Sequence, residues 1–445
     1  MAAEYAAYAN AGKPGGDLRR AGSPGAREEK GAPVRGRRLR DPRMSDSERL
    51  VANGTAARRA YGDAERAILS GAEAAIARAE IASWPGYSPT PLRRLASLAE
   101  RLGIAAVDYK DESQRFGIGS FKAQGGAYAV LRALERRLGV EASGASPADL
   151  REGEGRERAS TCTTTCATAG NHGRAVAWGS EMFGCRCVIF LPAGADEARA
   201  EAIRRHGATV IRTDDAYDAA VEIAHREAEA NDWIVISDTA YGDYEQTPRD
   251  VMHGYTTLAQ EAIEQREGRR PTHVFIQAGV GGLSTAVCGW LWERFGADRP
   301  VFVLVEPSSA GCFGRSIEAR GRVELEGPFD TMMGGLASGV PSTLAWRLLA
   351  GCADFAMTIS DASARRAMRT LADGPPPVVA GESGAAGLAG LIEAAGRPDW
   401  RAAIGLNEHS EVLLVGSEGA MAPEAYERIV GRAPAEVLRQ RADGA

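Results

Sequence analysis

Hydrophobic positions along the chain follow two spacings in turn. Short, continuous apolar runs recur: Cys187-Val188-Ile189-Phe190-Leu191, Trp233-Ile234-Val235-Ile236, Val274-Phe275-Ile276, Val301-Phe302-Val303-Leu304-Val305 and Val412-Leu413-Leu414-Val415. Ala106-Val107-Asp108-Tyr109 and Thr209-Val210-Ile211-Arg212 are shorter and more mixed. Between these runs, apolar residues fall three or four apart, over about 62–79, 95–102, 122–138, 196–206, 217–230 and 250–266. A run without polar alternation is a strand buried on both faces, and a three-to-four spacing is an amphipathic helix. The pattern predicts an α/β protein of parallel sheets with helices on both faces. Pro85-Gly86-Tyr87-Ser88-Pro89-Thr90-Pro91-Leu92 reads as a stiff extended segment, because proline restricts itself and the residue before it. Residues 139–158, rich in Gly, Glu and Ser, read as an exposed insertion.

Residues 1–45 break the rhythm. They carry ten Lys/Arg against five Asp/Glu, a local net charge of +5 that leaves −11 for the rest. Rich in Gly, Ala, Pro and Arg and without periodicity, they read as a disordered extension. Met44-Ser45-Asp46 has the look of a natural start. The overall net charge of −6 argues against a nucleic-acid partner. No apolar run approaches the roughly 20 residues that span a bilayer, and no signal-peptide pattern opens the chain. Seven cysteines without paired zinc-ribbon spacing imply free thiols in a reducing, cytoplasmic setting and no metal.

Three stretches carry candidate chemistry. In the first, the strand ending at Tyr109 leads through Gly117 and Gly119 to Ser120, which opens a helix, so that Lys122 falls in its first turn. The positive end of the helix dipole favours the neutral amine of lysine, the form that condenses with an aldehyde. In the second, Thr163-Thr164-Thr165-Cys166-Ala167-Thr168-Ala169-Gly170-Asn171-His172-Gly173, a strand meets a helix at Asn171, where ligands sit in open α/β sheets. His172 beside it reads as a packed structural histidine. In the third, the strand Thr272–Gln277 runs into Ala278-Gly279-Val280-Gly281-Gly282-Leu283 and a new helix. Backbone N–H groups of such a loop, with the helix dipole behind them, cradle a phosphate. The loop fits neither the Walker pattern nor the dinucleotide fingerprint. Asp238 follows a strand end, a place for site chemistry or for a turn cap. Ser417 ends the last strand, where a hydroxyl can meet a pyridine nitrogen without protonating it.

Together an aldehyde-reactive lysine, an amide at a switch point, a phosphate cradle and a terminal serine fit pyridoxal phosphate. Their order and wording resemble the tryptophan-synthase-β-like, fold type II family, over about residues 80–425. The resemblance rests on Lys110-Asp111-Glu112-Ser113, Arg115-Phe116-Gly117, Phe121-Lys122-Ala123, Gly170-Asn171-His172-Gly173, Asp238-Thr239-Ala240, Gln277-Ala278-Gly279-Val280-Gly281 and Gly381-Glu382-Ser383-Gly384. The Lys-Asp-Glu-Ser-x-Arg-Phe-Gly and Gly-Glu-Ser-Gly wording is nearest to its diaminopropionate ammonia-lyase branch.

The resemblance implies two open, mostly parallel twisted sheets, with a small domain (131–250) inserted in a large cofactor-binding domain (46–130 and 251–445). It implies a homodimer acting on a small amino acid. Lys122 would carry the cofactor, Gly279, Val280, Gly281, Gly282 and Leu283 its phosphate, Asn171 its ring hydroxyl and Ser417 its ring nitrogen. Lys122, once released, would take the α-proton, and Asp238 would place or protonate the leaving group. The products from 2,3-diaminopropionate would be pyruvate and ammonia. One position departs: the branch is expected to read Thr-Asp-Gly-Asn-His, with the Asp as base for the D-isomer, and this chain has Thr168-Ala169-Gly170-Asn171-His172. An L-selective enzyme is therefore expected. The Ala-Gly-Asn-His wording is that of serine/threonine dehydratases, which are the alternative.

Overall fold

The apolar runs assemble into two sheets. The computed structural model describes residues 37–39, 48–140, 147–168, 170–195, 197–213 and 217–443. The larger sheet has seven strands in the order Arg49–Ala52, Phe355–Ile359, Val301–Pro307, His273–Gln277, Glu411–Gly416, Ala106–Asp111, Leu92–Arg94. Its inner five strands run parallel, and each edge strand runs antiparallel to its neighbour. The smaller sheet has four parallel strands, Thr209–Arg212, Arg186–Leu191, Thr163–Ala167 and Ile234–Val235. Arg37–Leu39 pairs in parallel with Val323–Leu325. The rest of the 1–45 extension lies outside the described residues. No helix among the described residues is long and apolar enough to cross a membrane.

Neighbouring residues of the inner strands point into different cores. Val274, Ile276, Phe302, Leu304, Leu413 and Val415 join one apolar cluster, while Phe275, Val303, Val305, Val412 and Leu414 join another. The first is closed by Val251 and Leu258 of the helix Gln246–Gln265 and by Val287 and Leu291 of Gly282–Phe295. The second is closed by Met368 and Leu371 of Asp361–Asp373 and by Leu388 and Leu391 of Ala386–Gly396. Covering both faces is what strands without polar alternation require.

Two boundaries differ from the periodic pattern. The helix expected over 62–79 is two, Asp63–Arg66 and Gly71–Ala82. Ser70 breaks it, because its hydroxyl accepts from the Glu73 N–H and so starts a fresh helix. The helix expected from Asp250 begins at Gln246, since Pro248 falls in its first turn, where the missing N–H costs nothing. The insertion expected over 139–158 holds a 3₁₀ turn, Pro147–Arg151, and a short helix, Gly153–Ala159; residues 141–146 lie outside the described set.

The Lys-Asp-Glu-Ser-x-Arg stretch forms a buried ionic hub. Lys110 Nζ donates to Glu261 at 2.7 Å and to the Thr90 carbonyl at 2.6 Å. Arg115 reaches Glu261 at 2.7 and 2.9 Å and Glu112 at 2.8 Å through two of its nitrogens. Gln124, from the Lys122 helix, donates to Glu112 at 2.8 Å, so the hub supports that helix from below. Arg78 adds a third cation on Glu261, at 2.8 Å. Burial opposes the ionisation of Glu261, but Arg115 and Lys110 prevail and bring its carboxyl from an ordinary 4.5 down to about 2. Removing one partner of a buried ion pair costs about 3–5 kcal/mol, because the remaining charge is left uncompensated. Glu261→Gln is therefore expected to lower the unfolding free energy by about that amount at neutral pH. A carboxyl depressed by folding stabilises above its unfolded value, so the gap between Glu261→Gln and wild type should close as pH falls from about 4.5 towards about 2. Urea unfolding of both proteins across that range measures it. A neutral-pH loss below about 1 kcal/mol would contradict the role of the hub.

Candidate active site

Close helix packing fixes the position of Lys122. Its helix, Lys122–Leu138, lies against Asn171–Phe183 and Gln246–Gln265. A Cβ on Gly126 would fall 2.7 Å from Ala175 Cβ, one on Gly179 2.7 Å from Ala127 Cα, and one on Gly254 2.7 Å from Gly125 Cα. The Lys-Ala-Gln-Gly-Gly wording is thus a packing requirement of a three-helix contact. Lys122 is the first helical residue, and its N–H donates to Ser120 Oγ at 3.3 Å. The turn before it uses left-handed backbone at Phe116, Gly117 and Gly119, with φ of 51°, 69° and 81°. The Phe121 N–H then donates to the Ser417 carbonyl at 2.9 Å, and the Gly419 N–H to the Gly119 carbonyl at 3.0 Å. Residues nearly 300 positions apart are laced together at the lysine.

Lys122 Nζ lies 2.5 Å from Asp238 Oδ2. Burial alone would keep the Asp238 carboxyl protonated, but the Lys122 ammonium outweighs it and holds the group well below the usual carboxylate range. Tyr244 braces the Asp238 loop: its hydroxyl donates to the Val235 carbonyl at 2.8 Å and accepts from the Ser237 N–H at 3.1 Å. The chain has lysine at four positions, 13, 30, 110 and 122. Lys110 is fully buried in the ionic hub, which leaves Lys122 as the described lysine with a side chain partly open, 20% exposed, beside a carboxylate.

The loop from Gly279 to Leu283 lies close by. Gly282 packs 3.9 Å, measured from an added Cβ, from the Asp238 carbonyl. Ser342 ties the two segments, its Oγ accepting from the Ala240 N–H at 3.0 Å and its N–H donating to the Val280 carbonyl at 2.9 Å. Gly281 has φ of 99°, and a Cβ there would sit 2.5 Å from Phe313 and 2.7 Å from Ala345. Among the described residues, none of the N–H groups of Gly279 through Leu283 donates a hydrogen bond. Free amides at the start of the 14-residue helix Gly282–Phe295 form an anion cradle. These unpaired N–H groups, and a partly exposed lysine joined to the same segment through Asp238, suit the phosphate and the aldehyde of pyridoxal phosphate, so the residues present fit that group.

Asn171 opens the helix Asn171–Phe183, and its amide donates to Glu418 Oε2. Glu418 also accepts from the Ser383 N–H at 3.2 Å through Oε1. Burial and the nearby Glu382 push its carboxyl up to about 6. Ser417 is buried beside it. Lys122, Asp238, Asn171, Ser417 and the Gly279–Leu283 loop are therefore joined by direct contacts or through one intervening residue. Ala169 lies outside the described residues. Sequence reasoning assigned no role to Glu418, Ser342 or Ser383. Ser383 stands inside a quoted motif and Glu418 follows Ser417, but nothing local marks them as partners of Gly335 and Asn171.

Residues 83–417 match the family model described as pyridoxal-phosphate dependent enzyme. Diaminopropionate ammonia-lyase of Salmonella typhimurium is 38% identical over 358 residues, covering 78% of this chain and 89% of the relative. The holo diaminopropionate ammonia-lyase from Escherichia coli superimposes with a TM-score of 0.78 at 34% identity, over 86% of this chain and 97% of that one. The same E. coli protein solved with D-serine gives a TM-score of 0.76 at 33% identity, with the same coverage. The chain belongs to the pyridoxal-phosphate dependent enzymes of fold type II. Within them it is a carbon–nitrogen lyase of the ammonia-lyase type, with pyridoxal phosphate as its cofactor and an amino acid as its substrate.

Gly281→Ala tests the cradle. A Cβ at a left-handed position costs about 1–3 kcal/mol, and here it also meets Phe313 and Ala345. The variant is expected to bind pyridoxal phosphate at least about tenfold more weakly, as read by equilibrium dialysis. Unchanged affinity would place the phosphate elsewhere.

Proposed function

We propose that the protein eliminates ammonia from the β-carbon of L-2,3-diaminopropionate, yielding pyruvate and ammonia. The observation that carries this reading is the Lys122–Asp238 pair, a proton acceptor and a carboxylate 2.5 Å apart beside an anion cradle. Pyridoxal phosphate, when bound, supplies an aldehyde for amino groups and a ring that takes up the electrons of the broken Cα–H bond. Backbone N–H groups from Gly279 to Leu283 hold the phosphate, Asn171 orients the ring hydroxyl, and the neutral Ser417 hydroxyl meets the ring nitrogen. Lys122 takes the α-proton at Nζ. Asp238 positions the leaving nitrogen and relays to it, through Oδ2, the proton that Lys122 took, so that ammonia departs neutral.

Removing the α-proton from either isomer needs a base on either face. Ala169 stands where the resemblance expects an aspartate, and a methyl side chain takes no proton. This is the ground for L-selectivity, and a related E. coli protein solved with D-serine makes the D-isomer the informative comparison. The Ala-Gly-Asn-His wording favours a second reading, an L-serine/L-threonine dehydratase that loses hydroxyl instead of amine. The same proposal takes 131–250, which contains the four-stranded sheet, as the small domain and the remainder from residue 46 as the large one. It takes the protein to act as a homodimer in the cytoplasm, a compartment that suits its seven free cysteines.

A panel of L- and D-diaminopropionate, L-serine and L-threonine, with 2-oxo acid release as readout, should show the L-diamino acid turned over fastest and the D-isomer at least about tenfold slower in kcat/KM. Faster turnover of the hydroxy amino acids would establish the dehydratase, and equal rates on both diaminopropionate isomers would remove the stereochemical argument. Asp238→Asn keeps the shape but holds no transferable proton. It is expected to lower kcat by about 10²-fold or more, with a smaller change in KM.

A further inference from the structure

Glu418 follows Ser417 just past the end of the last strand, Glu411–Gly416, and its side chain is buried. Backbone holds it from two sides. An isolated bridge joins it to Ser120, and the Gly381 N–H donates to its carbonyl at 3.0 Å. The Gly-Glu-Ser-Gly stretch wraps it closely: an added Cβ on Gly381 would fall 3.2 Å from Oε1, and one on Gly384 2.6 Å from the Glu418 carbonyl oxygen. The carboxylate has little room to swing aside, and each of its oxygens meets a donor. Oε1 accepts from the Ser383 N–H at 3.2 Å, and Oε2 accepts from the Asn171 side-chain amide. Among the described residues that amide makes no other hydrogen bond.

We infer that Glu418 is a positioning residue for Asn171: its carboxylate takes one amide N–H and so fixes which amide atoms remain for the ring hydroxyl of the cofactor. An amide turned by half a revolution keeps its shape but exchanges its donor and acceptor edges. A carboxylate only accepts, so it selects the orientation with Nδ2 towards it. Asn171 is left with one N–H and Oδ1 for the ring hydroxyl. Glutamine at this position would offer one acceptor and one donor. The Ser383 N–H belongs to the backbone and cannot turn, so it claims the acceptor. The donor then faces Asn171, whose amide has to turn Oδ1 towards it and present two N–H groups instead. The inference rests on the reading of Asn171 as the partner of the ring hydroxyl, and it adds what orients that residue.

With burial and the Glu382 carboxylate raising it to about 6, the Glu418 carboxyl is charged at neutral pH and protonated below that value. A protonated carboxyl has a donor and an acceptor, as glutamine has. The other elements packed around it add no competing charge. Tyr109, from the strand Ala106–Asp111, donates its hydroxyl to the Gly384 carbonyl at 3.0 Å, and burial keeps it neutral. Asp111 on the same strand is paired with Arg93 at 2.6 Å. His172, beside Asn171, turns to the Ile236 carbonyl at 2.8 Å, and burial keeps it uncharged at neutral pH. Residues 117–121 hold no ionisable side chain.

The test is the affinity of the full-length protein, stripped of cofactor, for pyridoxal phosphate, read by equilibrium dialysis, with the visible absorbance of the bound cofactor as a second readout. In mildly alkaline solution Glu418→Gln should bind about tenfold more weakly, the effect of one misplaced charge-assisted hydrogen bond, and its absorbance maximum should move. The gap should close as pH falls below about 6, where the wild type itself carries a protonated group. In the Asn171→Ala background Glu418→Gln should change the affinity by less than about threefold, because no amide is left to orient. A purely structural role would lower the melting temperature and weaken binding by the same factor in both backgrounds and at every pH. That result, or wild-type affinity and absorbance in Glu418→Gln, would overturn the inference while leaving the reading of Asn171 intact. Wild-type affinity and absorbance in Asn171→Ala would overturn both. Should Glu418→Gln not fold, the ratio of wild-type to Asn171→Ala affinity decides: a ratio that shrinks as pH falls through about 6 supports the inference, and a constant ratio overturns it.

Discussion

The rest of the site depends on the close contact of three helices around Gly125, Gly126, Gly179 and Gly254. The helix Lys122–Leu138 packs on Asn171–Phe183, which follows the first strand of the four-stranded sheet, and on Gln246–Gln265, which covers the seven-stranded one. With added Cβ atoms about 2.7 Å from their neighbours, there is no room for any larger residue at Gly126, Gly179 or Gly254. That constraint places Asn171 and His172 across from Lys122. It also sets the Asp238 loop, three residues past the strand Ile234–Val235, within reach of the amine.

Electrostatics then divides the labour between two neighbouring sets of charges. The hub of Lys110, Glu112, Arg115 and Glu261 is fully compensated and closed to solvent, and its effect is on stability. The Lys122–Asp238 pair is less enclosed, with both side chains partly exposed. The difference explains how two lysines twelve residues apart, both beside carboxylates, serve different ends. One is locked among partners on every side, and the other opens a helix with its side chain partly exposed.

Much of this was legible from residue order. Buried parallel strands announce themselves as apolar runs, and the glycine loop after His273–Gln277 and the first-turn place of Lys122 follow from backbone chemistry, although the helix begins after Phe121 and not at a Ser120 cap. The break at Ser70 was missed because a cap and a mid-helix serine look alike inside an apolar spacing. The partners of Asn171 and Lys110 were missed for another reason. Glu418 lies 247 positions from Asn171 and Glu261 lies 151 from Lys110, and periodicity reports which face is buried, not which distant residue meets it. His172 reads as a packed structural histidine, and its contact with the Ile236 carbonyl, 64 positions away, is visible only once the strands are placed.

The central claim is that Lys122 bears the cofactor, and the scarcity of lysine makes it open to a direct check. Borohydride reduction of the holoenzyme, followed by peptide mass mapping, has four lysines to distinguish, at 13, 30, 110 and 122. The account predicts a single reduced pyridoxyl adduct on Lys122. An adduct on Lys110 or in the N-terminal extension, or none at all, would contradict it.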